Sequence, residues 1–358
     1  MTTKSLIKQH VKKSKSPGIS VGLIDENGTQ FFNYGEIKKD SGIIPTPDTI
    51  YEIGSMTKTF TAILAVKLQE ERLLSLDDPI TKFLPEFAGT YFDKNKITLY
   101  HLITHTSGLV EIPLRNYPRN LFAMIFRTNK GKVFPPRYSY DTSEFLEEVS
   151  QIKLKSNPGV TFRYSNTGVG LVGKILERIT NSTYDKLIKD KICNRLEMND
   201  TGIIVSETQK ERLAMGYLYT GKEAEPINIP AVASAGSIRS TVSDMLKFLK
   251  ANLELNKTDL SPVLGYCRTT KIKPKINPFL RSLPRLLYGV RSTEVGLGWI
   301  MSDLDNIKII WHNGGTEGFS TLMMMDQGKK TGVVVLANHA FRDHHKLGVN
   351  LLKTVSSG

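Results

Sequence analysis

Strand-like segments stand at the two ends of this chain and helix-like segments fill its middle, and that distribution limits the folds open to it. Near the start, "ISVGLID" and "QFFNYGEI" alternate around a turn containing Asn27-Gly28, the pattern of a β-hairpin. From about residue 295, "GLGWIM", "IKIIWH", "FSTLMMMD" and "TGVVVLAN" read as consecutive strands with tight turns. Between these ends, Met56, Phe60, Ile63, Leu64 and Leu68 recur at helical spacing across residues 55–72, closed by polar "QEER". Residues 3–13, 142–152, 167–180, 183–190 and about 343–354 also read as helices, and 97–109 as a short one ending near Gly108. Thr241, three residues before Asp244, resembles a capping box opening a helix over 242–254. Joining the terminal strands makes one antiparallel sheet flanked by helices. The expected fold is α+β and two-lobed, as a single domain over residues 1–358. A sheet lobe takes about 1–55 plus 290–358, and a mainly helical lobe takes 56–289.

At 358 residues, 40% of them hydrophobic, the chain can bury its own core without a disulfide or metal staple. Cys193 and Cys267 lack CxxC spacing and read as free thiols. The net charge of +13 favours anionic surroundings. The basic stretches 8–16 and 271–291 read as a solvated tail and an exposed loop, or as a contact with an anionic envelope surface. No nucleic-acid-binding pattern is present, so nucleic acid is not an expected partner. No apolar run approaches the ~20 residues of a membrane helix, and the start lacks an apolar signal core. This leaves a cytoplasmic protein, or an envelope domain given without its leader.

The heptad "GSMTKTF" (54–60) opens the first long helix. With Ser55 at the helix start, Lys58 lies one turn on, on the same face. A partly desolvated lysine loses its proton more easily and can act as a base toward a serine hydroxyl. The helix start also offers free N–H groups to a developing oxyanion. Serine with lysine three residues on is common by chance, so two further stretches matter. "NPGVTFRYSNTGVGLVG" (157–173) holds Tyr164 and Asn166, a phenol that can relay protons and an amide that can orient a substrate. "WHNGGTEGF" (311–319) places His312, Asn313, Gly314 and Gly315 at a strand edge where a substrate backbone can approach.

In that order, these motifs resemble the serine β-lactamase and penicillin-binding-protein superfamily, most closely its class C β-lactamase-like branch. That branch also holds DD-peptidases, D-aminopeptidases and esterases. The resemblance covers nearly the whole chain, through "TIYEIGSMTKTFTA", "DDPITKFLPEF", "ITLYHLITHTSGL", "PGVTFRYSNTG", "SAGSIRSTVSDMLKFL" and "TGVVVLAN". It implies a β-lactamase/transpeptidase-like fold with Ser55 as nucleophile, Lys58 as its proton acceptor and Tyr164 as proton relay. Asn166 would bind the substrate amide, and the N–H groups of Ser55 and Gly315 would form the oxyanion hole. His312 stands where many members carry the lysine of K-T-G, Asn313 replaces the threonine, and Gly314 matches the glycine. A histidine is only partly charged near neutrality, so the departure predicts acyl transfer without efficient turnover of carboxylate-bearing β-lactams. Glu317 beside the site could repel an anionic substrate. No metal or organic cofactor is implied.

The expected activity is acyl-enzyme formation at Ser55 from β-lactams or D-Ala-type peptides, followed by hydrolysis. A carboxylesterase of the same fold is the alternative, as is a slow-turnover penicillin-binding sensor. Other motifs are decoys. "GISVG" (18–22) matches a nucleophile elbow but begins a strand pattern instead of ending one. "HLITH" (101–105) spaces two histidines as in a zincin without the glutamate, and reads as a structural helix with satisfied histidines. His344 and His345 read as solvated, and "YSY" (138–140) lacks the asparagine of the tyrosine motif. Met323, Met324 and Met325 read as sheet core. The excursion 111–140 and the basic segment 271–291 are expected to shape the pocket mouth.

Overall fold

The computed structural model describes residues 2–110, 142–269, 272–273, 275–276, 293–304, 307–340 and 342–355. The excursion 111–140, with its "YSY", and all but four residues of the basic segment 271–291 lie outside them. Strands β1 (Gly18–Asp25) and β2 (Gly28–Gly35) form the first hairpin, and its turn is closed by Asp25 Oδ1 accepting from the N–H groups of Asn27 and Gly28. Short strands β3 (Ile50–Glu52) and β5 (Arg239–Thr241) pair with each other, as do β4 (Thr161–Phe162) and β6 (Lys275–Ile276). The C-terminal strands are β7 (Thr293–Val295), β8 (Ile300–Leu304), β9 (Ile307–Gly315), β10 (Ser320–Asp326) and β11 (Thr331–Ala337). They join the hairpin in one seven-stranded antiparallel sheet of order β2-β1-β11-β10-β9-β8-β7. The terminal strands therefore meet at β1–β11, as expected. "GLGWIM" is the exception: residues 296–299 bend, and the strand starts at Ile300.

Six helices carry the rest of the account: α1 (Thr3–Ser14), α2 (Thr57–Glu70), α3 (Leu99–Ile103), α4 (Asn166–Thr180), α5 (Val242–Asn252) and α6 (His345–Val355). α1 and α6 cover one face of the sheet, where Ile7, Leu347 and Leu351 pack with Ile19, Val21, Trp311, Leu322, Met324, Val333 and Val335. The other face carries Met323, Met325, Val334 and Leu336, packed with Leu246 and Leu249 of α5. Successive residues of a strand point to opposite faces. The runs "LMMM" and "VVVL" are thus apolar throughout because helices cover both sides, and the three methionines are core. α5 lies close because β1 offers Gly22, where a Cβ would stand 2.7 Å from Val242 and 2.8 Å from Leu246. α5 falls within the 56–289 range, so the sheet and the helical region share it.

α2 is not the amphipathic helix its spacing suggests. Every residue from Thr57 to Val66 is buried, with Leu68, because the sheet side and the helical side both enclose it. Its buried threonines find partners within the helix and beyond it: Thr59 Oγ1 donates to Met56 O at 2.8 Å, and Thr61 Oγ1 lies 2.6 Å from Ser234 O and 2.7 Å from the Tyr184 hydroxyl. Phe60 stacks on Phe248 of α5 at 4.5 Å.

Two local expectations differ. Thr241 caps α5 by accepting the Asp244 N–H, but the Asp244 carboxylate turns away, accepting from the Asp200 N–H, the Thr201 hydroxyl and Lys247. His344 and His345 are buried, at 2% and 5% exposure, not solvated. Docking of α1 on α6 encloses His344, and docking of α6 on the sheet encloses His345. His10 Nε2 donates to His344 Nδ1 (2.9 Å), His344 Nε2 donates to Ser320 Oγ (3.0 Å), and Ser320 donates to His339 O (2.6 Å). His345 stands edge-on to Trp311 and bonds Asp343. Cys193 and Cys267 are free and buried, and burial pushes the Cys193 thiol up to about 12.

Candidate active site

The centre of the site is the start of α2. Ile53 leads into a 3-10 turn, Gly54–Met56, which passes directly into the helix. Gly54 adopts φ +53°, a left-handed conformation that a side chain would strain. A Cβ there would also lie 2.7 Å from the Gly315 backbone nitrogen. Gly314 is as tightly placed, since its Cβ would fall 2.0 Å from Ile53 O. The serine turn and the end of β9 therefore abut backbone to backbone, with Thr321 Oγ1 donating to Ile53 O at 3.0 Å. This brings Ser55 beside Gly315, where a Cβ would meet nothing within 4 Å.

Lys58 Nζ lies 3.0 Å from Ser55 Oγ and donates to Ala235 O at 2.6 Å. The lysine is 2% exposed, whereas Ser55 is half-buried. Three further bonds lash this turn to residues 234–238: Ile53 N to Ile238 O, Ile238 N to Thr57 Oγ1, and Thr61 Oγ1 to Ser234 O. The Lys58 ammonium also sits 4.8 Å from the Tyr164 ring centroid. Tyr164 comes from the turn entering α4, whose N-cap Ser165 accepts the Gly168 N–H. Asn166 is the first residue of α4 and is half-buried.

His312 is 3% exposed on β9, on the face opposite Trp311. Its Nδ1 donates to Asn313 O at 2.6 Å, which leaves Nε2 as an acceptor. Burial first, and then the Lys58 charge, push its pKa down to about 3. A neutral imidazole therefore stands where the resemblance expects a permanent cation. Asn313 is half-buried, Gly314 buried and Gly315 exposed at the strand end. Glu317 is half-buried in the turn between β9 and β10.

Sequence reasoning missed three contributors. The pattern "HLITH" predicts His105 within a helix, but α3 ends at Ile103 and His105 occupies a left-handed position at φ +58°. Its ring packs on Tyr164 at 4.6 Å, its Nδ1 accepts the Ser165 N–H at 3.2 Å, and it shares one small cavity with Tyr164, Trp299 and His312. Burial and then Lys58 hold it well below the usual histidine range. His101, by contrast, closes a capping box with Thr98. The second is Glu52, 2% exposed on β3, whose carboxylate accepts from Ile227 N at 2.7 Å and pairs with Arg239. The third is Ala235 O, a backbone group no side-chain motif reveals. The following glycine in "HTSGL" was the one available sign that the histidine left the helix.

Buried neutral histidines make stability depend on pH. His312 and His344 both fall from 6.5 to about 3 on folding. Below 6.5 the unfolded chain takes up protons that the folded chain refuses, so stability is lost progressively from about pH 6.5 down to about pH 3. At about pH 5 these two groups alone cost about 4 kcal/mol relative to neutral pH. Urea midpoints at the two pH values check this, and a midpoint that does not move contradicts it.

A seven-stranded sheet with helices on both faces, and a serine–lysine pair where a 3-10 turn enters a buried central helix, define a serine hydrolase of the β-lactamase/transpeptidase fold. A family model described as Beta-lactamase matches residues 3–355, and the chain belongs to that family. It is 30% identical over 353 residues to a Beta-lactamase of Psychrobacter immobilis, covering 92% of this chain and 81% of that protein. Among solved structures it is similar to a class C beta-lactamase, with TM-score 0.79, 26% identity and coverage of 99% and 95%. It is also similar to D-alanine carboxypeptidase AmpC from Burkholderia cenocepacia, with TM-score 0.81, 23% identity and coverage of 98% and 97%.

Proposed function

We propose that the protein is an acyl-transferring serine hydrolase that forms an acyl-enzyme at Ser55 and passes the acyl group to water. The observation that carries this reading is Lys58 Nζ at 3.0 Å from Ser55 Oγ, anchored from behind by Ala235 O. In its deprotonated form, Lys58 uses its amine lone pair to take the serine proton as Oγ attacks the substrate carbonyl, and it returns that proton to Oγ when water displaces the acyl group. Tyr164, over the lysine, passes a proton to the leaving group and then draws one from the incoming water. The N–H groups of Ser55 and Gly315 would receive the oxyanion, and Asn166 the substrate amide. β-Lactams and D-Ala-type peptides are the first candidate substrates, in keeping with what the relatives are named for.

His312 favours a second reading, a preference for uncharged esters. With Nδ1–H given to Asn313 O, the neutral ring has only the acceptor Nε2 left, so a substrate carboxylate gains from it neither a hydrogen bond nor an opposite charge. A panel of benzylpenicillin, a D-Ala-D-Ala peptide and a p-nitrophenyl ester tests both. We expect His312→Lys to raise kcat/KM toward benzylpenicillin about tenfold and to leave the uncharged ester within about twofold. Equal changes on both substrates would remove His312 from carboxylate recognition.

A further inference from the structure

A lysine stripe runs along the outer face of α1. Lys4, Lys8 and Lys12 recur every four residues, Lys15 follows at the left-handed cap, and all four are exposed. The adjoining side of the helix, with Ile7, His10, Val11 and Ser14, docks toward α6 and the sheet. Residues 1–16 hold five lysines and no acidic residue, and none of the ion pairs among the described residues uses these lysines. Lys346 on α6 is exposed as well.

This stripe works against the helix that bears it. Like charges four residues apart oppose helix formation. Lys4 lies in the first turn, where the helix dipole disfavours a cation and no acidic side chain offsets it. Only Lys12 and Lys13, in the last turn, are favoured by the dipole. A requirement of folding therefore does not account for Lys4 and Lys8, whereas an anionic partner does.

We propose that this face is an electrostatic docking surface for an anionic lipid bilayer. The stripe is built of lysines, compact hydrated charges suited to diffuse attraction by many head groups; bidentate capture of a single phosphate favours arginine. Contact would be peripheral, since among the described residues no helix is long and apolar enough to cross a membrane. α1 lies on the Trp311 face of the sheet, and Ser55 and His312 lie beyond the other face. A docked molecule thus keeps its candidate active site on the side away from the lipid.

The test is co-sedimentation with vesicles of phosphatidylcholine and phosphatidylglycerol (3:1) against vesicles of phosphatidylcholine alone. Binding is expected only to the anionic vesicles, and it should fall at least tenfold between about 0.05 and 0.5 M NaCl. The variant K4Q/K8Q/K12Q keeps helix propensity. It should bind roughly a hundred-fold more weakly, with unchanged circular dichroism and hydrolysis. Failure of the wild type to bind anionic vesicles overturns the proposal, as does equal binding to neutral ones or undiminished binding by the variant. Capture by soluble inorganic polyphosphate without vesicle binding also overturns it.

Discussion

Ser55→Ala will lower turnover of every substrate by roughly a millionfold, to the level of a site that only binds. Lys58→Met will lower the acylation rate by about a hundred to ten-thousandfold, the range expected of a positioned base. Combining the two will be no worse than Ser55→Ala alone, because residues that act as a unit lose their effect together. The geometry makes this demand: Lys58 is enclosed and holds one bond to Ser55 Oγ and one to Ala235 O. Burst kinetics on a p-nitrophenyl ester check it. A Lys58→Met enzyme that acylates at the wild-type rate would mean that another group takes the proton.

The second large effect is steric. Gly314→Ala would put a methyl group 2.0 Å from Ile53 O and 2.4 Å from Thr321 Oγ1. Backbone cannot give way as a flexible side chain does, so β9 and the serine turn must separate. We expect a loss of about 3 kcal/mol in stability, the upper end for an overpacked site. Activity should fall further than stability explains, because the same displacement parts Ser55 from Gly315. Gly315→Ala is the control: nothing lies within 4 Å of its Cβ, and it should fold normally. Denaturant unfolding of both variants tests the contrast, and equal stabilities would contradict it.

What was legible in the sequence was what depends on near neighbours. The hairpin at Asn27-Gly28, the paired terminal strands, and the one-turn spacing of Ser55 and Lys58 all follow from local periodicity. What was not legible depends on what a segment packs against. α2 is buried all round because two parts of the fold enclose it, which its own spacing cannot express. His344 and His345 read as solvated on the last helix, but His10 of α1, arriving from the other end of the chain, packs on His344, and Trp311 of the sheet packs on His345. Asp244 caps less than its spacing suggests because Asp200 and Thr201 offer their N–H and hydroxyl. His105 reached Tyr164 through one left-handed residue after a helix end, a backbone event with little sequence signature.

His312 shows the same limit in electrostatic form. The sequence reveals a histidine in place of a lysine, and it cannot reveal the charge. Burial beside Lys58 decides that, and holds the ring neutral. The substitution therefore bears on which acyl donors are recognised, while the serine–lysine pair bears on whether acyl transfer occurs.

The most direct measurement of that pair is mass spectrometry of the protein quenched in acid during turnover, with benzylpenicillin and separately with a p-nitrophenyl ester. The account predicts a mass increase equal to the acyl group, mapped to the peptide that carries Ser55 and absent from Ser55→Ala. An adduct on a different residue, or hydrolysis that persists in Ser55→Ala, would contradict it.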